Sequence, residues 1–96
     1  MTAYVTVQIS MKDSDAFDAY RKVAGPALGK HGAKPISAGQ AEVLHDGGIG
    51  TAPSVLLEFA DAEAARAWMS DPELADVHAQ RNKGADVTLT LLPVSV

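Results

Sequence analysis

SVLLEF, residues 54–59, is the most informative segment for the fold, because its side chains alternate between the two faces of an extended chain. Three large apolar residues point one way, and a leucine and a glutamate point the other way. The two sets are Val55, Leu57 and Phe59, and Leu56 and Glu58. This apolar bias predicts a central strand of a sheet.

Two further segments alternate in the same way. AYVTVQI, residues 3–9, and DVTLTLLPV, residues 86–94, place apolar side chains at every second position. These apolar positions are Val5, Val7, Ile9, Val87, Leu89 and Leu91. A weaker extended segment, AKPISAGQAEVL at 33–44, contains Pro35 and Gly39, which suit an edge strand better than a central one.

The segment KDSDAFDAYRKVAGPALGKHG, residues 12–32, has the pattern of an amphipathic helix. Asp13 is the predicted N-cap, and Gly32 is predicted to end the helix. The stripe between them consists of Phe17, Tyr20, Ala24, Ala27, Leu28 and His31. Gly25 and Pro26 interrupt the pattern, because proline removes an intrahelical donor, so we expect either a kink or two abutting helices.

Two shorter helices follow the central strand. Asp61 is predicted to cap AEAARAWMS, and Asp71 with Pro72 is predicted to begin PELADVHAQR, residues 72–81. The resulting order is β-α-β-β-α-β with an extra helix before the last strand. Because connections are short and crossovers right-handed, this order favours a ferredoxin-like α+β fold, in which helices cover one face of a four-stranded antiparallel sheet. One domain, residues 1–96, accounts for the chain.

The sheet face turned away from the helices is predicted to be mixed in character. It carries Tyr4, Thr6, Gln8, Leu56 and Glu58, together with Thr88, Thr90 and Leu92. A domain of this size buries only about 60 to 65% of its unfolded surface, and an exposed apolar patch on a small chain typically marks an interface. We therefore expect a homodimer in which two sheets face each other as a dimeric α+β barrel. A monomer with an exposed sheet is the alternative.

Composition argues against several partners and compartments. The 96 residues are 47% hydrophobic and carry a net charge of -4, which repels phosphate backbones and anionic lipid. Nucleic acid and membranes are therefore not expected as partners. The chain has no cysteine, its start lacks a signal-peptide pattern, and no run reaches the ~18 apolar residues of a membrane span. A cytoplasmic location is predicted.

Motifs for metals, phosphates and nucleophiles are missing from the sequence. The histidines at 31, 45 and 78 lack metal-ligand spacing. DGGIG at 46–50 precedes a strand, whereas a phosphate-binding loop needs a helix N-terminus. No G-x-S-x-G is present. No metal site and no cofactor are predicted.

Several phrases together resemble the domain-of-unknown-function family 1330. They are KHG at 30–32, AEVL at 41–44, LEFADAEAARAW at 57–68, and SDPEL at 70–74 followed by Arg81. The resemblance covers nearly the whole chain. That family is similar to dimeric α+β barrel proteins, which include cofactor-independent monooxygenases of polyketide quinones, muconolactone isomerase and haem-binding relatives. The resemblance implies a small-molecule cavity between the helices and the sheet of each protomer.

His31 and Arg81 are the predicted catalytic residues. His31, at the end of the first helix, is a candidate general acid, base or orienting donor, and the alternative is a helix-end histidine bonded to local carbonyls. Arg81 falls with His78 on the stripe begun by Leu74 and Val77. Because an unpaired buried guanidinium is unfavourable, Arg81 must snorkel, pair with an acid, or bind an anion such as a substrate carboxylate.

Trp68, His78 and Tyr20 are the predicted ligand contacts. The small residues Ala64 and Ala65 leave room for the ring of Trp68 against the sheet. Trp68 is then a core anchor, a pocket wall that stacks on a flat ligand, or both. Glu58 is predicted to be a polar link across the dimer interface, and a buried catalytic carboxylate is the alternative.

The predicted function follows from these residues and from the resemblance. It is a small cytoplasmic homodimer with one small-molecule pocket per protomer, which promotes cofactor-independent proton transfer or oxygenation of a small acidic or aromatic compound. The reaction class comes from superfamily analogy alone. The alternative is a non-catalytic ligand-binding or scaffolding dimer.

Overall fold

A computed structural model of the chain describes residues 2–48 and 53–93. Its elements are β1 (Ala3–Met11), α1 (Ser14–Lys30), β2 (Lys34–Gly39), β3 (Ser54–Phe59), α2 (Ala62–Ser70), α3 (Ala75–Gly84) and β4 (Ala85–Leu91). A short 3-10 turn, Pro72–Leu74, separates α2 from α3. This order confirms the predicted β-α-β-β-α-β arrangement with an additional helix before the last strand.

The four strands form one antiparallel sheet in the order β2-β3-β1-β4. SVLLEF is therefore a central strand and the Pro35 segment an edge strand, as predicted. The registers place Val7 opposite Val55 on one side and opposite Leu89 on the other. Because side chains alternate across a strand, this register brings the apolar positions of the three longest apolar segments onto one face.

That apolar face lies under the helices and forms the core. The predicted helix-facing positions are buried or packed against the core, and they are Val5, Val7, Ile9, Val55, Leu57, Phe59, Val87, Leu89 and Leu91. From the helices, Phe17, Leu28, Ala65 and Trp68 are buried. The chain measures 39 × 37 × 17 Å, so one layer of helices covers one face of the sheet and leaves the other face open.

The first helix begins and ends where the sequence predicts. The Asp13 carboxylate accepts hydrogen bonds from the backbone N–H groups of Asp15 and Ala16, at 3.1 and 3.2 Å. Gly32, with φ at +69°, takes the left-handed conformation that ends a helix, and the Ala33 N–H donates to the Leu28 carbonyl at 3.0 Å.

Pro26 does not divide this helix, so the prediction of two abutting helices is wrong. α1 runs without a break from Ser14 to Lys30 and contains Pro26. Proline deprives the carbonyl four residues earlier, that of Lys22, of its helical partner. Both Lys22 and Pro26 are exposed, so water can replace the lost hydrogen bond.

Three other predicted boundaries change. The extended segment predicted at 33–44 is a strand only over Lys34–Gly39. The helix predicted at 72–81 begins as a 3-10 turn, held by Asp71, and continues as α3 to Gly84. β4 ends at Leu91, although the Leu92 N–H still donates to the Tyr4 carbonyl, and residues 94–96 lie outside the described residues.

Candidate functional site

A cavity of about 730 Å³ lies between the sheet, α1, α2 and α3. Most of its wall is apolar and comes from the aliphatic side chains of β1, β3 and β4 and from the rings of α1 and α2. Its ionisable or ring N–H side chains are Tyr20, Arg21, Trp68 and Arg81. Among the described residues, three of the predicted site residues therefore share one cavity: Tyr20, Trp68 and Arg81.

Arg81 is buried without a counter-charge. Only 4% of the residue is exposed, and no carboxylate of the described residues lies within 4.0 Å of its guanidinium. Burial lowers the pKa of the guanidinium, and the neighbouring Tyr20 opposes that shift. Of the three outcomes expected for Arg81, snorkelling and pairing with an acid are absent in the described parts of the chain.

His78 holds the Arg81 guanidinium in place. The Nη1 group of Arg81 donates to Nδ1 of His78 at 3.1 Å, and Nε2 of His78 donates to the Trp68 carbonyl at 3.0 Å. A carbonyl only accepts hydrogen bonds, so this geometry assigns the proton of the imidazole to Nε2. Both ring nitrogens are occupied, and His78 does not line the cavity. The predicted ligand contact is therefore placed as a residue that positions Arg81.

Asn82 gives the guanidinium a second anchor. Its side-chain oxygen accepts from Nε of Arg81 at 3.2 Å. Asn82 and His78, which is one helical turn earlier on α3, thus both fix the position of the Arg81 side chain. They bond Nε and Nη1 of the guanidinium, and neither of them bonds Nη2.

Trp68 is both a core anchor and a wall of the cavity. Its ring packs 5.7 Å from that of Phe59 and stands edge-on to His78, with centroids 5.0 Å apart. The residue is 2% exposed, and its indole N–H has no hydrogen-bond partner among the described residues. A buried indole N–H normally finds a partner, so this donor is unsatisfied.

Tyr20 completes the polar part of the cavity. Burial raises the pKa of its hydroxyl, and the Arg81 guanidinium beside it opposes the rise. Its ring packs edge-on against Phe17, with the centroids 5.4 Å apart. The hydroxyl is therefore a neutral donor at neutral pH. We call Tyr20, Trp68, His78 and Arg81 the cavity cluster.

The charge of the cavity wall is opposite to that of the whole chain. The chain carries 12 acidic residues and a net charge of -4, yet the lining residues include two arginines and neither Asp nor Glu. The second arginine is Arg21, whose guanidinium lies 5.2 Å from the Phe17 ring centroid. The wall is thus positive and offers mainly hydrogen-bond donors.

The structure places His31 outside this cavity. Its Nε2 lies 2.8 Å from Oδ2 of Asp71, an oxygen that Nζ of Lys30 also contacts at 2.8 Å. Lys30 bonds Glu73 as well, and Oδ1 of Asp71 accepts from the Glu73 backbone N–H. We call Lys30, His31, Asp71 and Glu73 the junction cluster, because it ties the end of α1 to the turn after α2.

Hydrogen bonds, first from Lys30 and then from His31, hold the pKa of the Asp71 carboxyl well below its usual range. The same ion pairs raise the pKa of Lys30. The Nε2 atom of His31 is therefore engaged by an acid outside the cavity. Its predicted catalytic role stays a prediction, since the described geometry gives it a different task.

The predicted interface residues lie together on the open face of the sheet. In the register, Tyr4 lies opposite Glu58, Thr6 opposite Leu56, and Gln8 opposite Ser54. Tyr4 is 37% exposed, which leaves its ring available to a second surface. Glu58 faces away from the cavity, at the positions of Tyr4 and of Lys34 on the neighbouring strands.

Sequence reasoning missed Arg21 and Asn82. Arg21 follows the predicted contact Tyr20, and its position above the Phe17 ring is an i, i+4 relation, which was the available signal. The contact of Asn82 with Arg81 could not be predicted from the sequence, because it depends on the conformation of the Arg81 side chain.

The described parts of the chain also bear on membranes and metals. No helix there is long and apolar enough to cross a membrane. No group of three or more potential metal-ligating side chains comes together within 2–48 and 53–93.

A family comparison bears on the whole chain. The profile of DUF1330, a domain of unknown function, matches residues 2–94. Among curated proteins, no relative of the chain was found.

Solved structures with the same fold have low sequence identity. The RPA0582 protein of unknown function from Rhodopseudomonas palustris is 18% identical, with a TM-score of 0.73 over 99% of this chain and 84% of that one. A dimeric ferredoxin-like protein of unknown function from Jannaschia sp. CCS1 is 16% identical, with a TM-score of 0.67 over 98% and 100%.

A more distant structural neighbour is an enzyme. SnoaB, a cofactor-independent oxygenase from Streptomyces nogalater, is 8% identical, with a TM-score of 0.58 over 99% of this chain and 92% of SnoaB. At these identities the likeness establishes the ferredoxin-like fold.

Proposed function

The chain belongs to the DUF1330 family, and from that premise we propose that it is a homodimer whose protomers each bind a small acidic or aromatic compound between helices and sheet. There it promotes proton transfer or oxygenation without a cofactor. The observation that carries the proposal is the apolar cavity of about 730 Å³ with Arg81, Trp68 and Tyr20 in its wall. Its volume lies in the range of small-molecule sites, and a few placed polar groups fix orientation there.

The chemistry of this proposal depends on stabilising an oxyanion. When a C–H bond next to a carbonyl breaks, its electron pair moves to the carbonyl oxygen and forms an enolate. Arg81 is a donor suited to that oxygen, because a buried charge-assisted hydrogen bond is stronger than one in water. Tyr20, which is neutral at neutral pH, can donate a hydrogen bond to the same oxygen, and the proton of the C–H bond passes to water.

Oxygenation then needs only molecular oxygen. The enolate supplies electrons to O2, and in the net reaction a CH2 group and O2 become a carbonyl group and water. The structural neighbour SnoaB, a cofactor-independent oxygenase, suggests this reaction class. In this account Arg81 is the catalytic residue, Trp68 and Tyr20 contact the compound, and His78 positions Arg81.

One observation favours the second candidate, a non-catalytic binding protein. The cavity lining contains no Asp, Glu or histidine among the described residues, and the nearby His78 has both ring nitrogens occupied. Without a strong base in the wall, the site is better furnished for holding an oxyanion than for removing a proton.

Turnover of an enolisable aromatic ketone separates the two candidates. Anthrone in aerated buffer should consume oxygen faster with the protein than without it, and its CH2 protons should exchange with D2O faster. Arg81→Gln should remove both accelerations, whereas Arg66→Gln, at an exposed position on α2, should leave them unchanged. No acceleration of either process would reject the enzymatic reading for this substrate class and favour the binding protein.

The dimer is tested by mass. Sedimentation equilibrium at micromolar concentration should give twice the 10.0 kDa of the chain. Leu56→Asp, on the open sheet face, should shift the mass towards 10.0 kDa, because a charge would be buried there without a partner. A wild-type mass of 10.0 kDa would reject the dimer.

A further inference from the structure

We propose that the natural ligand of the cavity is a flat, apolar organic anion, with its oxyanion bound by the Arg81 guanidinium and its flat body beside the Trp68 ring. The inference rests on the proposed function in one respect, that the cavity is a binding site. It does not require that a reaction takes place.

The hydrogen bonding of Arg81 is incomplete within the described residues. His78, Asn82 and Tyr20 account for its polar neighbours. The other N–H groups of the guanidinium have no partner among the described residues, and no carboxylate is near. A buried guanidinium without a counter-charge is unfavourable, and an anionic ligand would remove that penalty.

Trp68 lines the cavity beside Arg81. Its indole N–H is buried and unpartnered within the described residues. Trp68 and Arg81 both contact His78. The Trp68 ring packs against the imidazole and its backbone carbonyl accepts a hydrogen bond from it, and Arg81 donates a hydrogen bond to it. His78 therefore keeps the Trp68 ring beside the Arg81 guanidinium, so an anion bound by Arg81 has its flat body against Trp68.

The side chains of the cavity wall include no Asp, Glu, Asn, Gln or His among the described residues. Apart from the serine hydroxyls and the Tyr20 oxygen, the lining side chains supply no hydrogen-bond acceptors, and the two lining charges are both positive. A neutral amide or an ammonium compound would find few acceptors for its own N–H groups. A wall of this kind selects for compounds that accept hydrogen bonds.

The apolar residues of the cavity wall indicate the shape of the apolar part of the ligand. Aliphatic side chains of β1, β3 and β4 face the rings of Phe17, Tyr20 and Trp68 across the cavity. A flat hydrocarbon fills such a slot, whereas inorganic phosphate would lose its hydration and gain few contacts. This excludes small, strongly hydrated anions as the natural ligand.

The test compares a charged compound with its neutral isostere. Calorimetric titration of the wild-type protein with 2-naphthoate and with 2-naphthamide should give at least about tenfold tighter binding for the carboxylate, since a hydrogen bond to a charged group adds that much. Trp68 is the only tryptophan, so its indole N–H gives a single resonance in a 1H–15N spectrum, which should shift on binding 2-naphthoate.

Variants assign the preference to Arg81. Arg81→Gln should reduce the ratio of the two affinities to near one, Arg81→Lys should restore part of it, and Arg66→Gln should leave it intact. Equal affinities in the wild type, or tighter binding of 2-naphthamide, would overturn the proposal, and so would no binding of either compound at millimolar concentration. These titrations on the wild type stand even where a variant fails to fold.

A second probe distinguishes a carboxylate from an enolate or phenolate as the oxyanion of the ligand. 4-Nitrophenol absorbs in the visible as its phenolate, so ionisation on binding is read directly. Appearance of bound phenolate at a pH where the free compound is neutral would extend the ligand class to enolates and phenolates. Binding of 2-naphthoate without that shift would restrict it to carboxylates. Failure of anthrone turnover would remove the enzymatic proposal and leave these results unaffected.

Discussion

Two polar clusters of this protein each contain a histidine and a basic side chain, and they differ in whether the positive charge has an acidic partner. In the junction cluster, Asp71 accepts from Lys30, His31 and the chain itself, so every charge has an opposite partner. In the cavity cluster, Arg81 is more deeply buried and meets only neutral groups. The ion pairs of the junction cluster connect the end of α1 to the turn after α2. In the cavity cluster, the Arg81 guanidinium has no acidic partner among the described residues and is available to a ligand.

Removing the Trp68 side chain should have the largest effect on stability, because this member of the cavity cluster is also part of the core. Trp68→Ala should lower the free energy of unfolding by about 3–5 kcal/mol. Trp68→Phe keeps a ring beside Phe59 and should lose much less. Urea denaturation measures both. Similar losses for the two variants would show that the ring does not anchor the core.

Asp71 should give the next largest effect and a distinctive dependence on pH. Its pKa is depressed in the folded chain, so its contribution is present above its ordinary value of 3.8 and is lost as the pH falls below that value. Asp71→Asn should therefore be less stable than the wild type at pH 7 and nearly equal to it in strong acid. A gap that stays constant with pH would mean that the ion pairs of the junction cluster contribute nothing.

The junction cluster should not affect ligand binding. Asp71→Asn should leave the affinity for 2-naphthoate unchanged, since the junction cluster lies outside the cavity. Titration of the folded variant checks this, and a large loss of affinity would show that the two clusters are one site.

Arg81→Met should change stability by only about 1 kcal/mol, in spite of the deep burial of the residue. Replacing a buried charge with an apolar side chain of similar length removes an unfavourable desolvation, which offsets the lost bond to His78. Thermal and urea unfolding measure the change. A loss of about 3 kcal/mol or more would indicate that Arg81 already has a counter-charge inside the chain.

Removing an exposed ion pair should have the smallest effect on stability. Nζ of Lys12 lies 3.2 Å from Asp86, with both side chains largely in solvent. Lys12→Ala should alter the free energy of unfolding by no more than about 0.5 kcal/mol, and less in high salt. A larger loss would show that ion pairing at the surface matters here as much as in the junction cluster.

Local patterns were sufficient to predict the fold. Alternation placed Val7 and Leu57 on the covered face of the sheet, and the caps at Asp13 and Asp61 needed only neighbouring backbone N–H groups. Such signals depend on residues close in sequence. The predicted helix-facing and open faces of β1, β3 and β4 agree with the structure for that reason.

The site was only partly predictable because it depends on long-range packing. Trp68 and Arg81 were named from helix spacing, and they share the cavity. His31 was assigned to the same stripe as Leu28, but it is the C-cap, with φ at -108° and ψ at 15°, where helical spacing no longer holds. Its partner Asp71 is 40 residues away, a contact that no periodicity in the sequence reveals.

The most direct test of the account is a crystal structure of the protein grown with 2-naphthoate. The naphthalene ring should lie between the sheet and the rings of Phe17 and Trp68, with the carboxylate within hydrogen-bond distance of the Arg81 guanidinium. A carboxylate turned to solvent, or a cavity that stays empty at saturating ligand, would contradict it.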